Sequence, residues 1–385
     1  NKKNSVIKPR VSGSLFYLIY FLSTGAFGPF LYVYYAELGL TGQQVGILAI
    51  FFPLMTVFFA TPLSSLADRK RWRIRMVQSA ILIVAVIFFF MQFPRTFWGV
   101  AMLMLPMAFC FSPVMSISDS LVARMALRNK LNYGGMRMWG SFGFASAALV
   151  FGMIWGEVGF RPMFAVSSLI LLPLIWILGQ IEEGPSRDAK ERAPVKVLFR
   201  DTGLLLLLTG AFLAGIANSL SMTFEGIYVR SLGGTSFLIG LMSAFAATSE
   251  LPTMYFGQRI GTKLKGANAI VLAYLLSCSA YLGFVLLPYP TVMPIFSILK
   301  GLGFGLFFTN TIRLITERTP DEWASTAQSF MTVGMFGLAP LVAGPLGGAI
   351  HDHISPAAIF ALGALALILA ALILGIGIIQ GKISE

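Results

Sequence analysis

Apolar residues along this chain gather in long unbroken runs, separated by short polar turns. Twelve runs can be placed, at roughly residues 12–34, 43–66, 75–93, 97–125, 133–156, 161–180, 203–229, 236–257, 267–287, 291–313, 324–350 and 356–380. A helix needs about 20 apolar residues to cross a bilayer, and several runs exceed that, which implies tilt or extension into the interface. The runs do not alternate in polarity, so a barrel of membrane strands is excluded. Pro29, Pro53, Pro113, Pro252 and Pro340 fall inside them and predict kinks. The pattern predicts an all-α membrane protein with twelve transmembrane helices in two six-helix, pseudo-symmetric halves.

The one long polar stretch, Ile181–Asp201, sets the division. It predicts an N-terminal half over 1–180, a cytoplasmic linker over 181–202 and a C-terminal half over 203–385. A weak internal echo supports two repeats. Runs 2 and 8 both end in basic loops, and runs 5 and 11 are both rich in glycine.

Composition agrees with the pattern: 57% of residues are hydrophobic and only 11% charged, more apolar surface than a soluble chain of 385 residues can hide. The formal net charge of +12 suggests nucleic acid only until the charges are placed. Of the 28 Lys and Arg, 23 fall in the N-terminal arm, the tail and the loops on one side of the predicted membrane. Arg95, Arg161 and Arg230 lie on the other side, and Arg137 and Lys300 lie inside. The positive-inside rule then places both termini in the cytoplasm of a multi-pass cell (inner) membrane protein. The first run is too long for a signal-peptide core and lacks a small-residue cleavage site, so no cleaved signal is expected. Cys110 and Cys278 both sit in apolar runs and read as packing residues. The His351-Asp352-His353 triplet, read as an outer loop, is too local to suggest a metal site. No metal or cofactor is expected.

The most informative stretch is Asn132–Phe144, Asn-Tyr-Gly-Gly-Met-Arg-Met-Trp-Gly-Ser-Phe-Gly-Phe. It places Arg137 about one and a half turns inside a membrane helix. A charge at the centre of a spanning helix costs roughly 2.5–3.5 kcal/mol on insertion scales, so Arg137 needs a partner or a water-filled cavity. The turn between runs 4 and 5 centres near Arg128, with Asp119 nine residues before it and Arg137 nine after. Equal distance from a turn in an antiparallel pair means equal depth. Asp119 and Arg137 are therefore expected to face each other, as part of a solute path or as a structural ion pair. The flanking glycines let a neighbouring helix approach.

Three further groups stand out. Glu250 lies about two turns from the nearest basic loop, and burial of a carboxyl disfavours its charge, which suits a proton carrier. Lys300 sits mid-run beside Gly301, Gly303 and Gly305, which read as packing and bending points. It either contacts solute or balances Glu250. Glu225 is about one turn from the outer end of run 7, either reaching the interface or facing inward. Asn218 and Ser221 lie deeper in that run.

Over its whole length the chain resembles the major facilitator superfamily. Asp68-Arg69 and the basic residues after them resemble that superfamily's Gly-x-x-x-Asp-Arg-x-Gly-Arg-Arg loop, with Ser64 and Arg71 at the two glycine positions. The stretch around Arg137 is similar to the fifth helix of the lactose permease and phenylpropionate permease group, of the oligosaccharide:proton symporter type. The resemblance implies that Arg137 pairs with Asp119 and that Phe144, seven residues on, gives an apolar face to the solute. It implies that Ser249-Glu250-Leu251 carries the substrate and coupling glutamate, and that Ile298-Leu299-Lys300 carries a site lysine. It also implies that Asp68 and Arg69 brace the cytoplasmic gate. The chain departs from lactose permease at Gly303, Leu306 and Phe336, where that protein has a histidine, a glutamate and a lysine.

These readings converge on a secondary transporter. The expected function is proton-coupled symport of a small sugar-like or aromatic-acid solute by alternating access. Asp119, Arg137, Phe144, Glu250 and Lys300 would bind solute, and Glu250 and Asp119 would couple protons. The expected partners are the solute, protons and the lipid bilayer, with no nucleic acid, in a monomer. The rivals are a proton-driven exporter of amphipathic compounds and a transport-inactive receptor on the same fold. An enzyme is not expected, because the helices hold no nucleophile–base set.

Overall fold

The computed structural model describes residues 7–181, 200–320 and 323–383, and every described element is helical. Eleven helices are long and apolar enough to cross a membrane. They are α1 (Pro9–Glu37), α2 (Gly42–Lys70), α3 (Arg73–Phe90), α4 (Phe97–Arg128), α5 (Tyr133–Val158), α7 (Thr202–Ser231), α8 (Ser236–Leu264), α9 (Gly266–Leu286), α10 (Met293–Arg318), α11 (Ala324–His353) and α12 (Pro356–Ile379). The sixth predicted run forms the shorter apolar helix α6, Met163–Gly179, of 17 residues. At 1.5 Å per residue it is about 26 Å long. Most of the predicted linker lies outside the described residues.

Polar residues start the helices where the apolar runs begin. Thr41 and Gln44 form a reciprocal capping box at α2. The Asn132 side chain accepts the Gly135 amide at α5, and Asp201 accepts the amides of Gly203 and Leu204 at α7. Several prolines mark irregular helix, as expected. Pro29 sits in a 3₁₀ turn over Gly28–Phe30 and Pro113 at a break in α4. Pro53 precedes a π-helical stretch over Thr56–Ala60, and Pro340 follows one over Val333–Leu338. Through Pro252, by contrast, α8 runs on unbroken.

The chain divides into two compact units, with two short segments exchanged. One unit holds the chain up to Leu40, the stretch from Phe51 to the central polar segment, and Ile239–Ala244. The other holds Thr41–Ile50, the chain beyond the central segment to Leu238, and Phe245 onward.

In the first unit, α1 packs along α5 and α6, and α3 along α6. The α1–α5 contact is backbone to backbone: a Cβ on Gly143 would lie 2.5 Å from the Leu18 carbonyl oxygen. Buried hydrogen bonds pin the layers. Trp155 donates to the Ala26 carbonyl at 2.8 Å, and Ser168 to that of Ala85 at 2.7 Å.

In the second unit, α7 packs on α12 and α11, and α9 on α10 and α12. The Thr41–Ile50 end of α2 lies on α11, where a Cβ on Gly46 would meet the Gly344 carbonyl oxygen at 2.1 Å. The His351-Asp352-His353 triplet forms the last turn of α11 rather than an outer loop, because the helix continues past the apolar run. Asp352 accepts the amides of Gly42 and Gln43 at 2.7 and 2.9 Å. It thus puts a carboxylate at the positive end of α2. His351 Nδ1 lies 3.0 Å from the same carboxylate.

Candidate functional site

Two polar clusters lie within the spanning helices, one in each unit. In the first, Asp119 of α4 is held by two tyrosines. The Tyr17 hydroxyl of α1 donates to Asp119 Oδ1 at 2.6 Å, and the Tyr133 hydroxyl of α5 lies 3.3 Å from the same oxygen and 3.1 Å from the Tyr17 hydroxyl. Arg137 joins through aromatic faces: its guanidinium carbon is 5.0 Å from the centre of the Tyr17 ring and 4.4 Å from that of Phe21. A cation over an aromatic face gains up to about 2 kcal/mol when desolvated.

Asp119 and Arg137 thus converge on one tyrosine but form no ion pair among the described residues. This corrects the expectation of a direct pair. Depth counting matches position along the membrane normal and is blind to a side chain inserted from a third helix. Tyr17 fills that place, with its hydroxyl on the acid and its ring against the cation. Space for the guanidinium comes from Gly140, where a Cβ would lie 2.8 Å from Arg137 Nη1 and 2.7 Å from the Phe21 ring. No hydrogen-bond acceptor for the five N–H groups of Arg137 occurs among the described residues. Phe144 is two turns further on, about 10.5 Å along α5 and within about 20° of the same face. It is half-buried and makes no ring contact among the described residues.

In the second unit, Lys300 of α10 forms an ion pair with Glu225 of α7. Ser221, one turn before Glu225, donates to that carboxylate and accepts from Lys300 Nζ at 3.1 Å. Glu225 therefore faces inward, and Lys300 balances Glu225 rather than Glu250. The helix explains the difference: α7 runs on to Ser231, which leaves Glu225 deeper than the end of the apolar run suggests. Beside the pair lies a cavity of about 30 Å³ lined by Asn218, Lys300, Tyr274, Ser277, Tyr281 and Phe304. That is room for about one water molecule. Glu250 of α8 makes no ion pair among the described residues, and its backbone lies against Gly305 of α10, five residues after Lys300. The glycines flanking Lys300 are packing points, as expected: Gly301 and Gly305 sit against the α8 carbonyls of Ala246 and Glu250.

Tyr133 and Phe21 were not singled out by the sequence, yet helical spacing points to both. Tyr133 is four residues before Arg137 and Phe21 four after Tyr17, so each pair shares a helix face.

Residues 11–362 match the MFS_1 like family. The chain belongs to the major facilitator superfamily. It is 26% identical to the maltose permease of Geobacillus stearothermophilus over 94% of this chain and 92% of that protein. It is 25% identical to the probable 3-phenylpropionic acid transporter of Escherichia coli K12, covering 84% of this chain and 86% of that one. The crystal structure of the nucleoside transporter NupG superposes with a TM-score of 0.84 over 96% of this chain and 98% of that one, at 13% identity. At that identity the likeness is one of fold.

The α2–α3 turn holds the residues whose sequence resembles the superfamily's signature loop. Asp68 closes the α2–α3 turn by an ion pair with the fully buried Arg73. Arg69 is exposed. Arg71, at the second glycine position of the signature, adopts the left-handed conformation with φ 55° and ψ 39°. The backbone shape is the one glycine would take most cheaply, held here by a residue with a side chain.

Proposed function

We propose that this chain is a secondary active transporter that moves a small organic solute, sugar-like or an aromatic acid, by alternating access in symport with a proton. The observation that carries this reading is Arg137, an intramembrane guanidinium laid on two aromatic rings with its N–H groups unclaimed by acceptors among the described residues. Such a group costs free energy in a membrane unless something completes it. A solute carboxylate, or a pair of hydroxyls, fits its fork of donors. The rings of Tyr17 and Phe21, and Phe144 on the same face of α5, offer apolar surface to a sugar ring or an aromatic group. Asp119 supplies an acceptor for solute hydroxyls once Tyr17 or Tyr133 turns away.

Lys300, with Glu225 and Ser221, is a second polar group for the solute. Glu250 is the proton carrier in this reading, an acid in a spanning helix without an ion-pair partner among the described residues. Asp119 is a second acid able to exchange its tyrosine hydrogen bonds for a proton. Asp68 and Arg69 brace the basic end of α2 and α3. The solute classes come from the resemblance to the maltose permease and to the 3-phenylpropionic acid transporter. Both relatives have close to the length of this chain.

The test is uptake into proteoliposomes under an imposed pH gradient, using labelled maltose and 3-phenylpropionate. The expected result is accumulation of one of them above the level of empty liposomes. Glu250→Gln should lose solute-driven proton uptake while retaining solute exchange. Failure to accumulate either solute, or full proton uptake by Glu250→Gln, overturns the reading. Accumulation only in vesicles of inverted orientation turns it toward export.

A further inference from the structure

A groove of about 430 Å³ lies in the first unit, and it shares no residue with either polar cluster. Its walls are Leu63 of α2, Trp72, Arg75, Met76 and Ile83 along the start of α3, and Phe109 of α4. Four of the α3 wall residues lie on one helix face. The same face continues as an exposed apolar stripe through Leu82, Val86, Phe89 and Phe90, while Val77, Ile81, Val84 and Phe88 are buried on the opposite side. Beyond Arg75 and Ser79 at its start this exposed face is apolar, and an exposed apolar face in a spanning helix is the face turned to lipid. The groove opens on that face.

The chemistry changes along its length. The end at Ile83 and Phe109, both exposed, is apolar. The mouth holds Arg75, about 12 Å away along α3. Arg75 has no hydrogen-bond or ion-pair partner among the described residues. Exposed Arg69, Lys70 and Arg71 stand in the adjoining turn, and the one acid there, Asp68, is paired with Arg73. Trp72, 50% exposed, stands beside the basic turn at the start of α3, and indoles are enriched at the membrane–water interface. No carboxylate lines the groove. It therefore presents an acyl-chain slot with a cation, and no compensating anion, at headgroup height.

We propose that this groove is a binding site for one anionic phospholipid from the leaflet on the basic-loop side, with an acyl chain along Ile83 and Phe109 and the headgroup phosphate on Arg75. Charge complementarity selects the occupant. A neutral lipid fits the slot equally well but leaves the guanidinium and its basic neighbours without a net counter-charge, whereas an anionic headgroup supplies one.

The experiment is native mass spectrometry of the detergent-solubilised chain titrated with phosphatidylglycerol or phosphatidylcholine of identical acyl chains. The first phosphatidylglycerol should bind about fivefold more tightly than the first phosphatidylcholine, the increment expected of one near-surface cation. Arg75→Gln should bring the two lipids level. Ile83→Trp, which fills the slot from an exposed position, should weaken the first phosphatidylglycerol. Phe90→Trp, on the same stripe beyond the groove, should leave it unchanged. Equal affinity for the two lipids in the wild type overturns the proposal. So does an Arg75→Gln or Ile83→Trp protein that binds phosphatidylglycerol as the wild type does. If Ile83→Trp does not fold, the wild-type ratio and Arg75→Gln decide the matter alone.

Discussion

Tyr17 stands between Asp119 and Arg137, donating its hydroxyl to the acid at 2.6 Å and lending its ring to the cation at 5.0 Å. The two charges are thereby joined through one neutral side chain and do not neutralise each other directly. Removing the hydroxyl alone separates its two roles. Tyr17→Phe keeps the ring under Arg137 and deprives Asp119 of its shorter hydrogen bond. A hydrogen bond to a charged group is worth about 1.5–3 kcal/mol. Tyr17→Phe should therefore lower the thermal midpoint by a few degrees, measured by tryptophan fluorescence in detergent. Tyr17→Leu, which also removes the ring, should lower it further. Equal midpoints for the two variants would show that the ring contributes nothing to holding Arg137.

Lys300 and Glu225 form a pair that is nearly buried, with side-chain exposures of 16% and 12%. Breaking such a pair from one side leaves an uncompensated charge and costs about 3 kcal/mol, whereas replacing both members is often close to neutral. Glu225→Gln and Lys300→Met should each destabilise strongly. The double variant should recover most of the loss in a thermal-shift measurement. Additive losses would mean that the two residues are not coupled.

The Asp352 carboxylate takes the first amides of α2. Asp352→Ala should cost the segment Thr41–Ile50 about 1–2 kcal/mol, the usual worth of a charged cap. Hydrogen exchange followed by mass spectrometry should show that segment exchanging about five- to thirtyfold faster, with α12 unchanged. Unaltered exchange over 41–50 would remove the clasp from the account.

Asp201 gives a pH dependence outside the membrane. Partial burial pushes its carboxyl up, but hydrogen bonds from Arg318 and from the Leu204 and Gly203 amides outweigh it, and the net shift is downward. A depressed folded-state value means that the stabilisation is present above the unfolded value of about 3.9 and is lost as pH falls through the folded one. Asp201→Asn should therefore be less stable than the wild type at pH 7. The gap between their thermal midpoints should close as the pH falls below about 4. A gap that persists at low pH would assign the effect to the amide contacts alone.

Arg71 holds a left-handed backbone at φ 55°. A side chain in that region costs about 1–2 kcal/mol, and glycine escapes it at some cost in unfolded-state entropy. Arg71→Gly should raise the thermal midpoint by about 2 °C. A lowered midpoint would mean that the Arg71 side chain makes contacts worth more than the strain.

Much of the fold was legible in the runs of apolar residues. Length and composition suffice to place spanning helices, and the polar residues that cap them, such as Asn132 and Asp201, mark their starts. The glycines at 143, 301 and 305 were readable as close-approach points because a helix of large side chains has no other use for them. The exchange of Thr41–Ile50 and Ile239–Ala244 between units was not readable, since it depends on which distant helices those short ends meet.

Within the site, Arg137 and Asp119 were marked by the cost of a membrane charge, but the manner of their association was not. Tyrosine is as common at the interface as in a cavity, so Tyr17 and Tyr133 carried no distinct signal until the packing placed them. The partner of Lys300 was ambiguous for a related reason. Glu225 and Glu250 are both acids in apolar helices, and only the register of α7 against α10 chooses Glu225.

The central claim is that Arg137 is completed by the solute. Isothermal titration of the purified chain with maltose and with 3-phenylpropionate, repeated with Arg137→Ala and Arg137→Lys, tests it most directly. The account predicts that one solute binds the wild type, that Arg137→Ala abolishes binding, and that Arg137→Lys weakens it at least about tenfold, because an ammonium cannot reproduce the planar fork of donors. Undiminished binding by a folded Arg137→Ala protein would contradict it.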